Sequence, residues 1–294
     1  MPIAHKRGEL VFEKLERSLL KLSSRTRPEN VHGFRTSTVR LRVLLEELLP
    51  ERTHNQKKLL KTLGRIRKRA GKLRDLDMQL ATLRSLKFAQ DPRRKTELTQ
   101  ALIELRAENE KKLRKLLTKE MVREIRKRLK RTAKKSELQA AADPLATARK
   151  IVQRVTPPAR PSGIGHATLL SEDVLHKLRV AIKCARYAAE FAPKSAESEQ
   201  FITELKRLQD TLGHWHDWLT LTQAASDRFG DLRESALVAA IHNVTRGKFR
   251  LAVAAVASSP ITPLRLKPAP TAIDQSRKLS SKTPPSAQRT ESAA

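Results

Sequence analysis

A single cysteine, Cys184, occurs in the 294 residues. It excludes an intramolecular disulfide framework, and a reducing cytoplasm is the expected compartment. Aromatic side chains are scarce, with two Trp, one Tyr and seven Phe. That argues against the stacking platforms on which base-reading nucleic-acid binders depend. The nine glycines form no Walker-type phosphate loop. The apolar run near the C-terminus, Leu251–Ala257, is far shorter than the roughly 20 residues of a bilayer-spanning helix. Met1-Pro2-Ile3-Ala4-His5-Lys6 contains no apolar segment, so no signal peptide is expected. Acidic residues are in deficit as well, 31 against 61 Lys and Arg, for a formal charge of +30. Such a field attracts polyanions at rates that fall with salt.

What is abundant is Leu, Ala, Arg, Lys and Glu, the composition of helices. Leu10, Val11, Leu15, Leu19 and Leu22 recur at helical spacing. Pro28 opens a second helix that Pro50 ends. From about 53 to 86 runs a long amphipathic helix. Leu59, Leu63, Ile66, Ala70, Leu73, Leu76 and Leu80 form its stripe, and Lys61, Arg65, Lys68, Arg69 and Lys72 stand opposite. Asp91-Pro92 starts a helix expected to continue to about 135, and Asp143-Pro144 a short one to 155. Residues 156–163 are a proline-rich loop. Ser171 caps the next helix. Residues 196–229 are expected to be helical with an interruption near Gly213, followed by a last helix capped by Asp231. From residue 258 Pro, Ser and Thr dominate, and the tail to 294 is expected to be disordered. The expected fold is all-α, with one helical domain over 5–257 built from similar antiparallel bundles at about 5–137 and 143–257.

The segment Leu175–Phe191 carries the strongest pattern. His176, Arg179, Lys183 and Arg186 fall within an arc of roughly 80° on a helical wheel. Leu178, Ile182, Ala185, Ala188 and Ala189 lie opposite. The same His-x-x-Arg-x-x-x-x-x-x-Arg figure occurs earlier, as His32, Arg35 and Arg42. Each copy is followed by a second matching element, Gly71-Lys72-Leu73-Arg74-Asp75 and Gly213-His214-Trp215-His216-Asp217. Two ordered matches point to internal duplication. Aligning the halves places Arg65 with Arg207 and Lys72 with His214. If those faces meet, a continuous basic groove results.

These residues resemble the CHAD family, the conserved-histidine α-helical domains. The family pattern reads roughly His-x-x-Arg-Val-x-x-Lys/Arg-Arg-x-Arg, then Leu-Gly-x-x-Arg/Asn-Asp, and occurs twice. Arg40 stands at its second Arg position in the first copy. Val39, Cys184 and His216 depart from it. The resemblance implies binding of inorganic polyphosphate without catalysis, and with it recruitment to polyphosphate granules. Together with the basic helix faces and the aligned halves, it places the expected contacts at His32, Arg35, Arg40, Arg42, Arg65, Arg69, Lys72, His176, Arg179, Lys183, Arg186, Arg207 and His214. Arg suits such a ligand because its fork bonds two phosphate oxygens, whereas Lys is a mobile point charge.

Other sites are poorly supported. Nothing near His32 or His176 supplies a converging ligand set, so neither a metal nor another cofactor is expected. Arg74, Asp75 and Asp77 read as structural ion pairs. Glu108-x-Glu110-x-Lys112 resembles the motif of triphosphate tunnel metalloenzymes, but on a helix its side chains diverge. The alternatives to polyphosphate are non-specific contact with RNA or DNA backbones and a scaffold for an acidic protein.

Overall fold

The structure, a computed structural model, describes residues 2–49, 51–135, 142–156 and 170–262. The tail beyond 262, and most of the proline-rich loop, lie outside the described residues. Among the described residues there are helices and no strand. The helices are α1 (Pro2–Ser24), α2 (Pro28–Val43), α3 (His54–Ser85), α4 (Pro92–Leu116), α5 (Lys119–Lys135), α6 (Pro144–Gln153), α7 (Glu172–Ala189), α8 (Ala196–Phe229) and α9 (Ala236–Ala257). A π-helical turn, Leu44–Leu48, prolongs α2 and turns Leu44, Leu45 and Leu48 inward.

Local chemistry sets most boundaries. Thr53 and Gln56 form a reciprocal capping box at the start of α3, and Ser195 with Ser198 does the same for α8. Asp91 and Asp143 accept backbone bonds at the starts of α4 and α6. Three expectations are corrected. The helix expected over 92–135 breaks at Leu117-Thr118, where the Thr118 hydroxyl accepts from the Met121 amide. The break lets Leu113 and the stripe Val122, Ile125 and Leu129 pack on the same core. Helix α8 runs through Gly213 without interruption. Ser235, not Asp231, caps α9, because Gly230 at φ 77° ends α8 and a short turn intervenes.

Helix α2 packs on α1 and α3, and α3 on α4. The order repeats downstream, with α7 on α6 and α8, and α8 on α9. The two groups meet through α2 against α7 and α3 against α8. Three apolar cores result. The first joins α1 to α5, with Leu113 the contribution of α4, and also takes Phe191 from beyond α7. The second joins α6 to α9 and takes Val39 and Val43 from α2. The third straddles the groups, with Leu76, Leu80 and Leu83 of α3 against Leu221 and Ala225 of α8. Above this core, Gln79 donates to the Thr220 carbonyl at 3.0 Å. Along α3 and α8 the seam therefore changes from apolar at one end to charged at the other.

Candidate functional site: a cationic seam between the two helical groups

Packing α2 against α7 brings the basic rows of both His-bearing helices to one seam. The apolar faces of these helices fix that orientation. Phe34 and Leu41 of α2, and Leu178, Ile182 and Ala185 of α7, are fully buried. Arg35 donates to Asp75 Oδ1 and to the Gly71 carbonyl of α3, both at 3.3 Å. Its guanidinium passes over Gly71, 3.8 Å from where a Cβ would stand.

Arg179 and Lys183 are partly enclosed, and neither has a carboxylate within 4.0 Å among the described residues. Burial lowers the Arg179 pKa from its usual value, against the pull of Asp217 and Asp75, with Arg35 adding repulsion. Burial, then Arg35 and Arg179, bring Lys183 down to about 8. His32 is held below the usual histidine value by burial and by Arg74, Lys183, Arg35 and Arg40. Arg67 of α3 is lowered by burial and by Arg42 and Arg35. Asp217 is raised by burial, although Arg179, Arg74 and His214 pull it down. The His176 ring lies 5.2 Å from that of His216, whose Nδ1 is buried without a hydrogen-bond partner. Burial, then Arg179 and His176, depress His216 to about 3.

His216 makes the fold acid-sensitive. Below pH 6.5 the unfolded chain protonates this ring and the folded chain does not, so stability is lost as pH falls toward 3. Urea unfolding at pH 7 and pH 5 is expected to show His216 contributing on the order of 1 kcal/mol to that loss. His216→Gln is expected to abolish this contribution. An equal loss in the variant would assign the acid sensitivity to other groups.

The thirteen residues singled out from the sequence fall into a seam set, two outer rows and a group held by carboxylates, with Arg207 both in an outer row and in that last group. His32, Arg35, His176, Arg179 and Lys183 converge on the seam. Arg65, Arg69 and Lys72 line a separate groove of about 350 Å³ with Lys68 and Leu116, while Arg207 and His214 line another of about 510 Å³ with Lys248 and Leu251. Arg65 and Arg207 therefore line different grooves and not one shared groove. Arg40, Arg42, Arg186 and Arg207 are held by carboxylates. Arg40 and Arg186 bind Glu190 at 2.9 and 3.1 Å and lie over the Tyr187 ring at 4.6 and 4.7 Å. Arg42 binds Glu46 at 2.6 Å, and Arg207 binds Glu204 at 2.7 Å.

Two further cations reach the seam: Arg67, which the sequence reading passes over, and Arg74, which it takes for a member of a structural ion pair. They lie seven apart on α3 with Gly71 between them, a row flanking the apolar stripe. Arg74 pairs with neither neighbouring aspartate. Asp75 binds Arg35, and Asp77 binds Arg106 of α4 at 2.7 Å. Val39 departs from the basic pattern because it is buried in the second core. Glu110 bonds Arg106 and Arg114, with Thr26 donating to it, so the Glu-x-Glu-x-Lys run is part of the helix packing. Among the described residues no group of three or more His, Cys, Asp or Glu is placed to hold a metal, and no helix is long and apolar enough to cross a membrane.

These features define an all-helical domain whose two helical groups meet across a cationic seam. The chain belongs to the CHAD domain family, whose pattern matches residues 9–226. Its fold is similar to that in the crystal structure of the CHAD domain from the plant Ricinus communis. The TM-score is 0.55 at 19% identity, covering 90% of this chain and 88% of that one. No curated protein matches the chain.

Proposed function

We propose that the protein binds inorganic polyphosphate along the seam, without catalysis. The observation that carries this reading is the pair of enclosed cations, Arg179 and Lys183, with no carboxylate at pairing distance. Cations kept together without counter-charge cost stability, and an anionic ligand offsets that cost. Arg35, Arg67 and Arg74 supply further guanidinium groups, and His32 and His176 supply ring donors. The outer rows, with Arg65, Arg69 and Lys72 on one side and His214 and Lys248 on the other, extend the electropositive track. Arg40, Arg42, Arg186 and Arg207 act first as frame. Membership of the CHAD family, associated with polyphosphate binding, supports the choice of ligand. The matching packing orders support a tandem duplication, with halves at 5–137 and 143–257 in a domain that extends through α9.

The test is anisotropy competition at near-physiological salt. Labelled long-chain polyphosphate is challenged with charge-matched RNA, duplex DNA and heparin. Polyphosphate is expected to win by about tenfold. Arg179→Ala/Lys183→Ala is expected to lose about 2 kcal/mol, roughly thirtyfold. Equal competition by every polyanion, with a loss matching two charges among many, would reduce the protein to a general polyanion binder, with nucleic acid the first candidate. Binding of an acidic protein that polyphosphate leaves undisturbed would support a scaffold instead. A fluorescent fusion is expected to form cellular foci that vanish where polyphosphate synthesis is lost; persistent foci would exclude granule recruitment.

A further inference from the structure

The seam carries its own anions. Asp75 projects from α3 with 56% of its side chain exposed, and its Oδ1 accepts from Arg35 at 3.3 Å. Asp217 of α8 occupies the matching place in the second Gly-x-x-x-Asp element, within electrostatic reach of Arg179, Arg74 and Asp75. Arg179 is drawn to both carboxylates but pairs at 4.0 Å with neither. A polyanion that takes the Arg35 guanidinium meets the Asp75 carboxylate already there.

We infer that Asp75 is a specificity-determining residue, a resident anion that occupies Arg35 in the empty site and is displaced by the incoming phosphate chain. This rests on the polyphosphate reading of the seam. The geometry favours displacement over a fixed structural bond. The Arg35–Asp75 pair is partly solvated, and exposed pairs of this kind are weak. Arg35 also keeps a second anchor, the Gly71 carbonyl at 3.3 Å, so its guanidinium stays placed when the carboxylate leaves. By contrast Asp77, two residues on, is enclosed against Arg106 at 2.7 Å and belongs to the frame.

A tethered carboxylate presents a high effective concentration to its partner. Isolated anions such as chloride or orthophosphate must compete with it one charge at a time. A chain of contiguous phosphates displaces it once while its other charges engage Arg179, Lys183 and Arg74. Asp75 thereby raises the threshold of charge density that a ligand must meet.

The experiment is a double-mutant cycle read by anisotropy with labelled long-chain polyphosphate. Asp75→Asn is expected to tighten binding about threefold. In the Arg35→Ala background the same change is expected to have no effect, because the displaced partner is gone. Asp231→Asn, an equal charge change on the exposed turn before α9, is expected to leave affinity unaltered. Thermal melts of each variant establish that the fold is intact, and Asp75→Ser serves as a second probe of the same sign. Weaker or unchanged binding by Asp75→Asn would overturn the inference and make Asp75 an orienting residue or a bystander. Tightening that persists without Arg35 would also overturn it, as a mere change of net charge. A wild-type chain that fails to bind polyphosphate would overturn the ligand reading itself, and this inference with it.

Discussion

Lys183→Met is expected to melt about 5 °C above the wild-type chain and to bind polyphosphate about tenfold more weakly. The two effects have one cause. Burial and the adjacent Arg35 and Arg179 bring Lys183 down to about 8, so its charge is destabilising in the folded state at neutral pH. Replacing it by an apolar chain of similar length removes that penalty, worth on the order of 2 kcal/mol after allowance for residual solvent. The unfolded lysine titrates near 10.5, the folded one near 8. The penalty is therefore present in full below pH 8 and is relieved as pH rises toward 10.5. Wild type is expected to gain stability over that interval relative to Lys183→Met. Polyphosphate binding is expected to reverse the local balance. Phosphate oxygens favour the ammonium form, so binding is expected to take up a proton near pH 8, and affinity to fall between pH 7 and pH 9. Lys183→Arg is expected to retain affinity and lose much of that pH dependence, since Arg stays charged. Differential scanning calorimetry and anisotropy on the same preparations check both halves. A variant that melts lower than wild type would show that Lys183 has a counter-charge and is a structural cation.

Glu190→Gln is expected to do the opposite. It should lower the melting temperature by about 5 °C without weakening polyphosphate binding. Glu190 receives Arg40 of α2 and Arg186 of α7, while Arg7 of α1 bonds its carbonyl. Both guanidiniums also lie over the ring of Tyr187, which is 2% exposed. Removing the carboxylate leaves both cations without their shared anion, at a cost of about 2 kcal/mol in a partly enclosed site. It also frees two positive groups beside the seam, so affinity is expected to hold or rise slightly. Chemical denaturation and anisotropy read the two quantities. A marked loss of affinity would mean that Arg40 and Arg186 contact the ligand only when Glu190 orients them. Together the two variants separate seam cations from frame cations, which composition alone treats as equal.

The sequence made the helices legible because their apolar spacing and caps are local. The exceptions were also local in cause but depended on packing to be realised. The Leu117-Thr118 break needs both α4 and α5 to reach one core, and nothing in the periodic leucines announces it. Gly213 read as an interruption because glycine weakens helices, yet an added Cβ there would meet nothing within 4 Å. The seam was partly visible. The row His176, Arg179, Lys183 stood clear of its apolar stripe, and the packing of α2 on α7 adds His32 and Arg35. What could not be read from one helix is which cations find carboxylates. Arg186 and Arg179 look alike on a wheel, but Arg186 meets Glu190 and Gln209 while Arg179 meets neither. Nor could the row Arg67, Gly71, Arg74 be recognised, since its meaning arises only when α2 lies across it.

The crossing of side chains between the cores bears on how the molecule unfolds. Val39 and Val43 leave α2 to fill the core of the downstream group, and Phe191 fills that of the upstream group. Leu76, Leu80 and Leu83 then share a third core with Leu221 and Ala225. A chain severed between α5 and α6 would expose these valines and leucines on one fragment and Phe191 and Leu221 on the other. Neither fragment could satisfy its apolar surface except by finding its counterpart. The seam cations are thus spaced by a frame that exists only when the whole is assembled, and melting one part dissolves the seam that the other helps to build.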